Sequence, residues 1–363
     1  MNNYKKIGLT ALAGSLVTLG SVQAGELSVS GSINTTLKFG KGGGNTSRTI
    51  GADRDVTFSG GGELDNGTTF SVSTTTNDNL GLSASTTTIT TPSFGSFSFG
   101  ASNGSVSYMY DEEVPQAYEQ ASDGKSTMAN AIGNYMDNNH VVYSAPTLDL
   151  MGATINAQLG FSPQATDSGT STGDGGQATY TPSIGKGTEA GITIAYEGLK
   201  VGFYGSERER TTPQTAASSG NYERDEFNGA WYAKYSFGPV SIGYSETYMD
   251  AGVTQANESI NASKTERTAG GIFEGEQLSI AFNVNDNMSI SYTTSDETYD
   301  TQDDAATATT SDDDITETVD ALQIAYSMGG MSVKAYNMEV TNPDQDDDAA
   351  DTSVTEIALG FAF

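Results

Sequence analysis

The chain has no cysteine, a single histidine, eight prolines and only 16 lysine and arginine residues among its 363. Without cysteine it can form neither a disulfide framework nor a thiolate metal site. Most histidine-dependent triads or zinc sites would have to centre on His140 alone, which argues against an enzyme. The 46 aspartate and glutamate residues leave a formal net charge of −30. This acidity repels nucleic-acid phosphates, so nucleic acid is not expected as a partner.

Long apolar runs are also missing, because no segment after residue 24 approaches the roughly 18 residues of a membrane-spanning helix. Residues 1–24 are different in character. Lys5 and Lys6 precede the apolar segment Ile7–Gly20, and small residues lead to Ala24. This order predicts a secretory signal peptide that is cleaved after Ala24. A retained membrane anchor is the alternative, and the shortness of the apolar run disfavours it.

Short segments of alternating apolar and polar residues fill the remainder, residues 25–363. In the first of them, Leu27 and Val29 alternate with Ser28 and Ser30. A period of two predicts a strand with one apolar and one polar face. Sixteen such segments occur, and tight turns alternate with mostly long connections between them. The pattern predicts an all-β fold, a 16-stranded antiparallel transmembrane β-barrel with long external loops. A wide barrel with a polar interior also agrees with a hydrophobic content of only 36%.

Several local features follow from the same alternation. Pro146–Asp149 is predicted as a tight turn, and a bulge or break is predicted near Gly275, because Glu274 and Glu276 fall on an otherwise apolar face. Aromatic residues at the strand ends next to short turns predict an interfacial girdle, namely Tyr143, Tyr196, Tyr235, Phe237, Tyr326 and Phe361. Small and hydroxyl side chains on the apolar face of strands three and four suggest a subunit contact, at Thr74, Thr76, Ala84, Thr86 and Thr88.

Four stretches then carry a resemblance to a known family: Glu63–Phe70, Phe94–Gly100, Asn139–Pro146 and Leu359–Phe363. In their order and spacing they resemble the general diffusion porins of Gram-negative bacteria, closest to the alphaproteobacterial type. The resemblance implies a homotrimer in the outer membrane, in contact with lipid and lipopolysaccharide, that passes small hydrophilic solutes and ions. It further implies a third external loop folded into the lumen, and a terminal Phe363 that serves as a signal for the barrel-assembly machinery.

The longest connection, residues 102–138, matches that third loop in order and is the candidate constriction loop. It carries many acids against Lys125, namely Asp111, Glu112, Glu113, Glu119, Asp123 and Asp137, and its tyrosines Tyr108, Tyr110 and Tyr118 can pack it against the wall. Carboxylates in a constriction attract cations, so we expect a cation preference. A solvated acidic loop outside the pore is the alternative.

The family usually places a basic cluster on the wall opposite this loop. Strand parity offers few candidates here, Lys38, Lys200, Lys234, Arg267 and Lys334, with Arg48 and Arg54 near the first loop. The predicted constriction therefore consists of Asp111, Glu112, Glu113, Tyr118, Glu119, Lys38, Arg54 and Lys334. No cofactor is expected.

Two external loops are rich in aspartate, one with Asp300, Asp303, Asp304, Asp312, Asp313 and Asp314, the other with Asp344, Asp346, Asp347, Asp348 and Asp351. Such clusters can bind Ca²⁺ or serve simply as a charged, solubilising surface. Three other readings of the whole chain stay open: a channel selective for one solute, a non-conducting structural or adhesive barrel, and a secreted soluble β protein.

Overall fold

The computed structural model describes residues 27–42, 47–101, 105–121, 132, 136, 140–165, 184–210, 225–250, 272–300 and 314–363. The predicted signal peptide, residues 1–24, lies outside these ranges. The regular elements among the described residues are strands and the single short 3-10 helix Ser107–Met109, joined by turns and irregular segments. No helix in the described ranges is long and apolar enough to cross a membrane.

Seventeen strand segments make up the fold. They are β1 Leu27–Lys41, β2 Arg48–Glu63, β3 Thr69–Thr76, β4 Leu82–Thr91, β5 Gly95–Ala101, β6 His140–Ser144, β7 Leu148–Leu150, β8 Ala153–Ser162, β9 Ile184–Tyr196, β10 Leu199–Arg210, β11 Glu226–Phe237, β12 Val240–Asp250, β13 Ile272–Asn285, β14 Met288–Asp300, β15 Ile315–Met328, β16 Met331–Thr341 and β17 Thr352–Ala362.

These segments close into one antiparallel barrel, because consecutive strands pair except at β6 and β7, and β1 pairs with both β2 and β17. At the seam, the Gly31 amide donates to the Phe363 carbonyl at 2.9 Å and the Phe363 amide donates to the Gly31 carbonyl at 3.0 Å. The short β7 pairs with β8, as β6 does. Counting β6 and β7 as one interrupted strand gives sixteen, which confirms the predicted fold class.

The interruption between β6 and β7 corrects the predicted turn at Pro146–Asp149. Proline has no amide hydrogen and cannot donate to the sheet, so the strand breaks at Pro146 and resumes at Leu148 with its register shifted by one residue. The chain reverses instead at Met151 and Gly152, which both have positive φ, 51° and 89°. That conformation is typical of a two-residue hairpin turn.

The two faces of the barrel differ in polarity. On β13 the side chains of Leu278 and Ile280 are exposed, whereas those of Gln277 and Ser279 between them are buried. We call the face with the exposed apolar side chains the apolar face and the alternating one the polar face. Predicted girdle residues are exposed on the apolar face, namely Tyr196, Tyr235, Phe237, Tyr326 and Phe361. The ring of Tyr143, the remaining girdle residue, lies 5.0 Å from that of Phe97.

Two local predictions were wrong. Strand β13 runs unbroken past Gly275, since its pairing with β12 keeps one register there, and Glu274 and Glu276 simply stay on the apolar face. On β4, a register shift pairs Leu82 with Thr76 but Ala84 with Thr75, so Leu82 and Ala84 do not share a face. A shift of one residue moves side chains to the other face. Thr86 and Thr88 therefore lie with Ala84 on the polar face, and only Thr74 and Thr76 of the suggested subunit contact keep the apolar face.

Candidate functional site

Residues 105–121, which we call the crossing segment, lie against the polar face of the barrel wall. Their hydrogen-bond partners come from β9, β13, β14, β15 and β17. The segment therefore follows the wall across about half of the barrel. The rest of the predicted loop 102–138 is described only at residues 132 and 136. Asp123, Lys125 and Asp137 thus lie outside the described residues.

Glu189 on β9 anchors the beginning of the crossing segment. Its carboxylate accepts hydrogen bonds from the amides of Val106 at 2.9 Å and Ser107 at 3.2 Å, from the Ser105 hydroxyl at 2.9 Å and from the Tyr204 hydroxyl at 3.1 Å. Only 4% of Glu189 is exposed. A buried carboxylate requires such donors to offset its lost hydration, so the first residues of the segment are held at one defined place.

Amide and hydroxyl side chains of the wall hold the middle of the segment. Gln277 donates to the Glu112 carboxylate at 2.5 Å, and the hydroxyl of Ser279 donates to the Pro115 carbonyl. Gln323 makes two bonds: its oxygen accepts from the Tyr118 amide at 2.8 Å, and its nitrogen donates to the Glu119 carbonyl at 2.6 Å. The irregular backbone of the segment is thereby paired with wall side chains.

The far end of the segment is attached through Tyr118. Its hydroxyl donates to Glu356 at 2.5 Å, and the same carboxylate pairs with Lys38 at 2.8 Å and accepts from the Tyr336 hydroxyl at 3.3 Å. The ammonium group of Lys334 lies 4.8 Å from the centre of the Tyr118 ring, a cation–π distance. Burial and the hydrogen bond to Glu356 raise the pKa of Tyr118, so its hydroxyl stays protonated and can donate.

Two glycines on the wall allow the segment to approach closely. A Cβ atom on Gly243 would lie 2.4 Å from the Pro115 ring, and one on Gly191 would lie 2.5 Å from the Tyr110 hydroxyl. Any larger residue would therefore displace the segment at these positions. Tyr110 is fully buried there, and burial, with a smaller contribution from Glu113, raises its pKa to about 12.

Glu113 lies between two lysines of the wall. Its carboxylate is 3.7 Å from the Lys200 ammonium group and closer still to that of Lys234. Both ammonium groups also lie over the Tyr232 ring, at 5.4 and 5.5 Å from its centre. Two positive charges therefore surround one negative charge, so Glu113 is locally more than neutralised.

The predicted constriction residues thus fall into different surroundings. Lys38 and Tyr118 contact Glu356, Lys334 lies over the Tyr118 ring, and Glu119 follows Tyr118 directly. Glu113 belongs to the second group, with Lys200 and Lys234. Glu112 is buried, with 4% of its surface exposed, and Asp111 accepts from the Gln120 amide at 3.4 Å. Arg267, also predicted for the lumen, lies outside the described residues.

Arg54 does not belong to these groups, and its predicted place is corrected. It is paired with Ile33 across β1 and β2 and shares a face with Val56 and Phe58, which is the apolar face. Its guanidinium lies 3.7 Å from the carboxylate of Asp78. The strand begins at Arg48, so position 54 lies within the alternation and not in the preceding loop.

Sequence reasoning missed the wall residues that hold the segment, above all Glu189, Gln277, Gln323 and Glu356. It also missed an apolar cluster on the polar face, where Tyr118 and Ala121 pack with Val319, Ala321, Met338, Val340 and Ala358. The sequence Val319–Ile324 could have indicated this cluster, because it has apolar residues on both faces of the strand. Val319 and Ala321 lie on one face, and Leu322 and Ile324 lie on the other. A strand that is apolar on both faces is covered on both faces.

Among the described residues, no three histidine or acidic side chains come together as ligands for a metal ion. That part of the chain includes the second aspartate-rich loop, Asp344–Asp351, where the Asp348 amide donates to the Asp346 carboxylate at 3.0 Å. Most of the first loop, residues 301–313, lies outside the described ranges.

No protein-family model matches the sequence, and no curated protein is similar to it. Solved structures are similar in fold. A porin superposes with a TM-score of 0.59 at 13% identity and covers 93% of this chain and 100% of its own. An anion-selective porin from Comamonas acidovorans gives 0.62 at 13%, with 93% and 99% covered. OmpT, an outer membrane protein of Vibrio cholerae in its trimer form, gives 0.58 at 15%, with 94% and 100% covered. The chain therefore has the fold of these barrels over nearly its whole described length.

Proposed function

We propose that the protein is an outer-membrane porin of a Gram-negative bacterium, a water-filled channel for passive diffusion of small hydrophilic solutes and ions. The observation that carries the proposal is the closed sixteen-strand barrel with exposed apolar side chains on one face. Such a barrel satisfies its backbone hydrogen bonds in lipid. Sixteen strands enclose a space that wall side chains cannot fill, so the polar face lines an aqueous lumen.

The crossing segment lies within that lumen and narrows it. Its support is the set of hydrogen bonds to the polar face of β9, β13, β14, β15 and β17, because that face alternates with the exposed apolar residues. In this proposal the predicted inward-folded loop is a belt that follows one half of the wall. Solutes pass between this belt and the opposite wall of β1 to β5, where hydroxyl side chains such as Thr57 and Thr75, 2.8 Å apart, dominate the polar face.

The finer assignments belong to the same proposal. The channel is a homotrimer, by analogy with the trimer form of the similar Vibrio cholerae protein. Its apolar face contacts lipid, and its outer loops contact lipopolysaccharide. Phe363, beside the strand seam, serves as the signal for the barrel-assembly machinery. A cation preference is proposed from the net charge of −30. The protein acts by passive transport and not as an enzyme.

Conductance across a planar bilayer tests the proposal. The purified protein in detergent should insert and give discrete current steps that are proportional to voltage. A folded barrel that inserts without such steps would be the structural or adhesive alternative. The reversal potential in a KCl gradient then gives the sign of the selectivity, and an anion-selective sign would refute the cation preference but not the channel.

A further inference from the structure

Two carboxylates of the crossing segment, those of Glu112 and Glu113, supply little free negative charge to the lumen. Glu112 is buried against the Gln277 amide, and Glu113 is surrounded by Lys200 and Lys234. At the far end, Glu356 is paired with Lys38. Charges that are paired at these distances largely cancel for an ion passing outside the pair. The negative charges of Glu113 and Glu356 are therefore close to balanced by the neighbouring lysines.

The carboxylates on strand β2, beside the far end of the crossing segment, are not paired in this way with any lysine or arginine that the structure describes. Asp53 is paired across the sheet with Asn34, and Asp55 with Ser32. Asn34 lies beside the Tyr118 hydroxyl, so both aspartates are on the polar face next to the far anchor of the segment. Asp53 is exposed and Asp55 half-buried. Within the described residues, no lysine or arginine lies within ion-pair distance of either carboxylate.

Arg54 stands between these two aspartates in sequence but does not neutralise them across the wall. Successive residues of a strand point to opposite faces. Arg54 accordingly lies on the apolar face, where its guanidinium is directed to Asp78. The sequence Asp53-Arg54-Asp55 thus places two negative charges inside the barrel and its positive charge outside.

We propose that Asp53 and Asp55 are the residues that give the channel its preference for cations, in place of the acids of the crossing segment. The inference rests on the proposed channel function. Unpaired carboxylates on the wall of a water-filled constriction raise the local concentration of cations and lower that of anions. The permeant class is therefore small cations and cationic solutes, which pass along the β2 side of the lumen.

The permeability ratio of K⁺ to Cl⁻, taken from reversal potentials at low salt, tests the inference. For a permeating ion about 8 Å from the carboxylate in about 0.1 M salt, where screening roughly halves the Coulomb energy, each lost charge should lower the ratio about two-fold, because it acts in opposite directions on K⁺ and Cl⁻. Asp53→Asn with Asp55→Asn should accordingly lower the ratio about four-fold, and less at high salt, where charges are screened. Arg54→Gln is the matched control: it alters the charge of the adjacent residue on the opposite face and should leave the ratio near that of the wild type.

Cysteine substitution gives a second readout, because the chain has no cysteine of its own. A negatively charged methanethiosulfonate reagent on Asp53→Cys should restore the cation preference, a positively charged one should reduce it further, and Arg54→Cys should respond to neither. An unchanged ratio in the double variant, with wild-type conductance steps, would overturn the inference and leave the channel intact. Failure of the proposed function is distinct, since the wild type itself would then give no steps.

Discussion

Replacement of Glu189 by glutamine should release the beginning of the crossing segment. In the wild type the carboxylate accepts four hydrogen bonds at 2.9 to 3.2 Å, two of them from backbone amides. Three of the four donors share one carboxylate oxygen, and the Val106 amide alone bonds the other. Glutamine retains one acceptor oxygen and replaces the other with a donor, so at least one buried donor loses its acceptor. Such a loss costs about 1–3 kcal/mol against the attached state of the segment.

Single-channel recording measures this release. A detached segment should change the mean conductance and increase the open-channel noise, while the barrel, which is held by strand pairing, should keep its resistance to detergent. Glu246→Gln is the matched control, because that carboxylate also accepts two hydrogen bonds, from Trp231 and Tyr244 at 2.7 Å each, but lies on the apolar face. Wild-type conductance and noise in Glu189→Gln, with a folded barrel, would refute the account of the anchor.

Three further predictions concern the segment. Gly243→Val should displace Pro115, which a Cβ would approach to 2.4 Å. We expect a cost of about 1–3 kcal/mol and an altered conductance. Gly205→Ala, where the nearest atom is 3.8 Å from the added Cβ, should keep the wild-type conductance, and equal conductance in the two variants would contradict the close packing. Glu113→Gln should leave Lys200 and Lys234 uncompensated and shift the reversal potential towards anion selectivity; a shift towards cations would contradict the pairing. Tyr110 should ionise near pH 12 in ultraviolet titration. The stability that it contributes as a neutral phenol is therefore present below pH 10 and lost as the pH rises through 12. Tyr110→Phe should remove this ionisation step, and ionisation near pH 10 would mean that the ring is not buried.

The sequence predicted the strand number well because alternation is clear wherever one face meets an apolar environment. The alternation failed to predict the strand ends that extend beyond this apolar environment. Strand β14 extends to Asp300, which was predicted to belong to an external loop, because acidic and hydroxyl residues such as Asp296 and Thr298 replace apolar ones on the apolar face. Arg54 was misplaced for the same reason: a charged residue interrupts the apolar row of β2, so the pattern gives no parity there.

The faces of β4 and the anchors of the segment could not be predicted for other reasons. A register shift opposite Thr75 and Thr76 changes the face without leaving a mark in composition. Glu189 and Gln323 look like any polar residues that line water, since only the folded chain brings the crossing segment to them. The resemblance predicted a loop at residues 102–138, but residue types alone could not reveal that Glu113 would meet two lysines.

Swelling of liposomes that contain the purified protein, in a series of neutral sugars of increasing size, tests the central account most directly. A narrowed, water-filled lumen predicts swelling rates that decline smoothly with solute size and a slope that becomes shallower in Glu189→Gln. Liposomes that swell in no sugar, or in a single sugar regardless of size, would contradict a general diffusion channel.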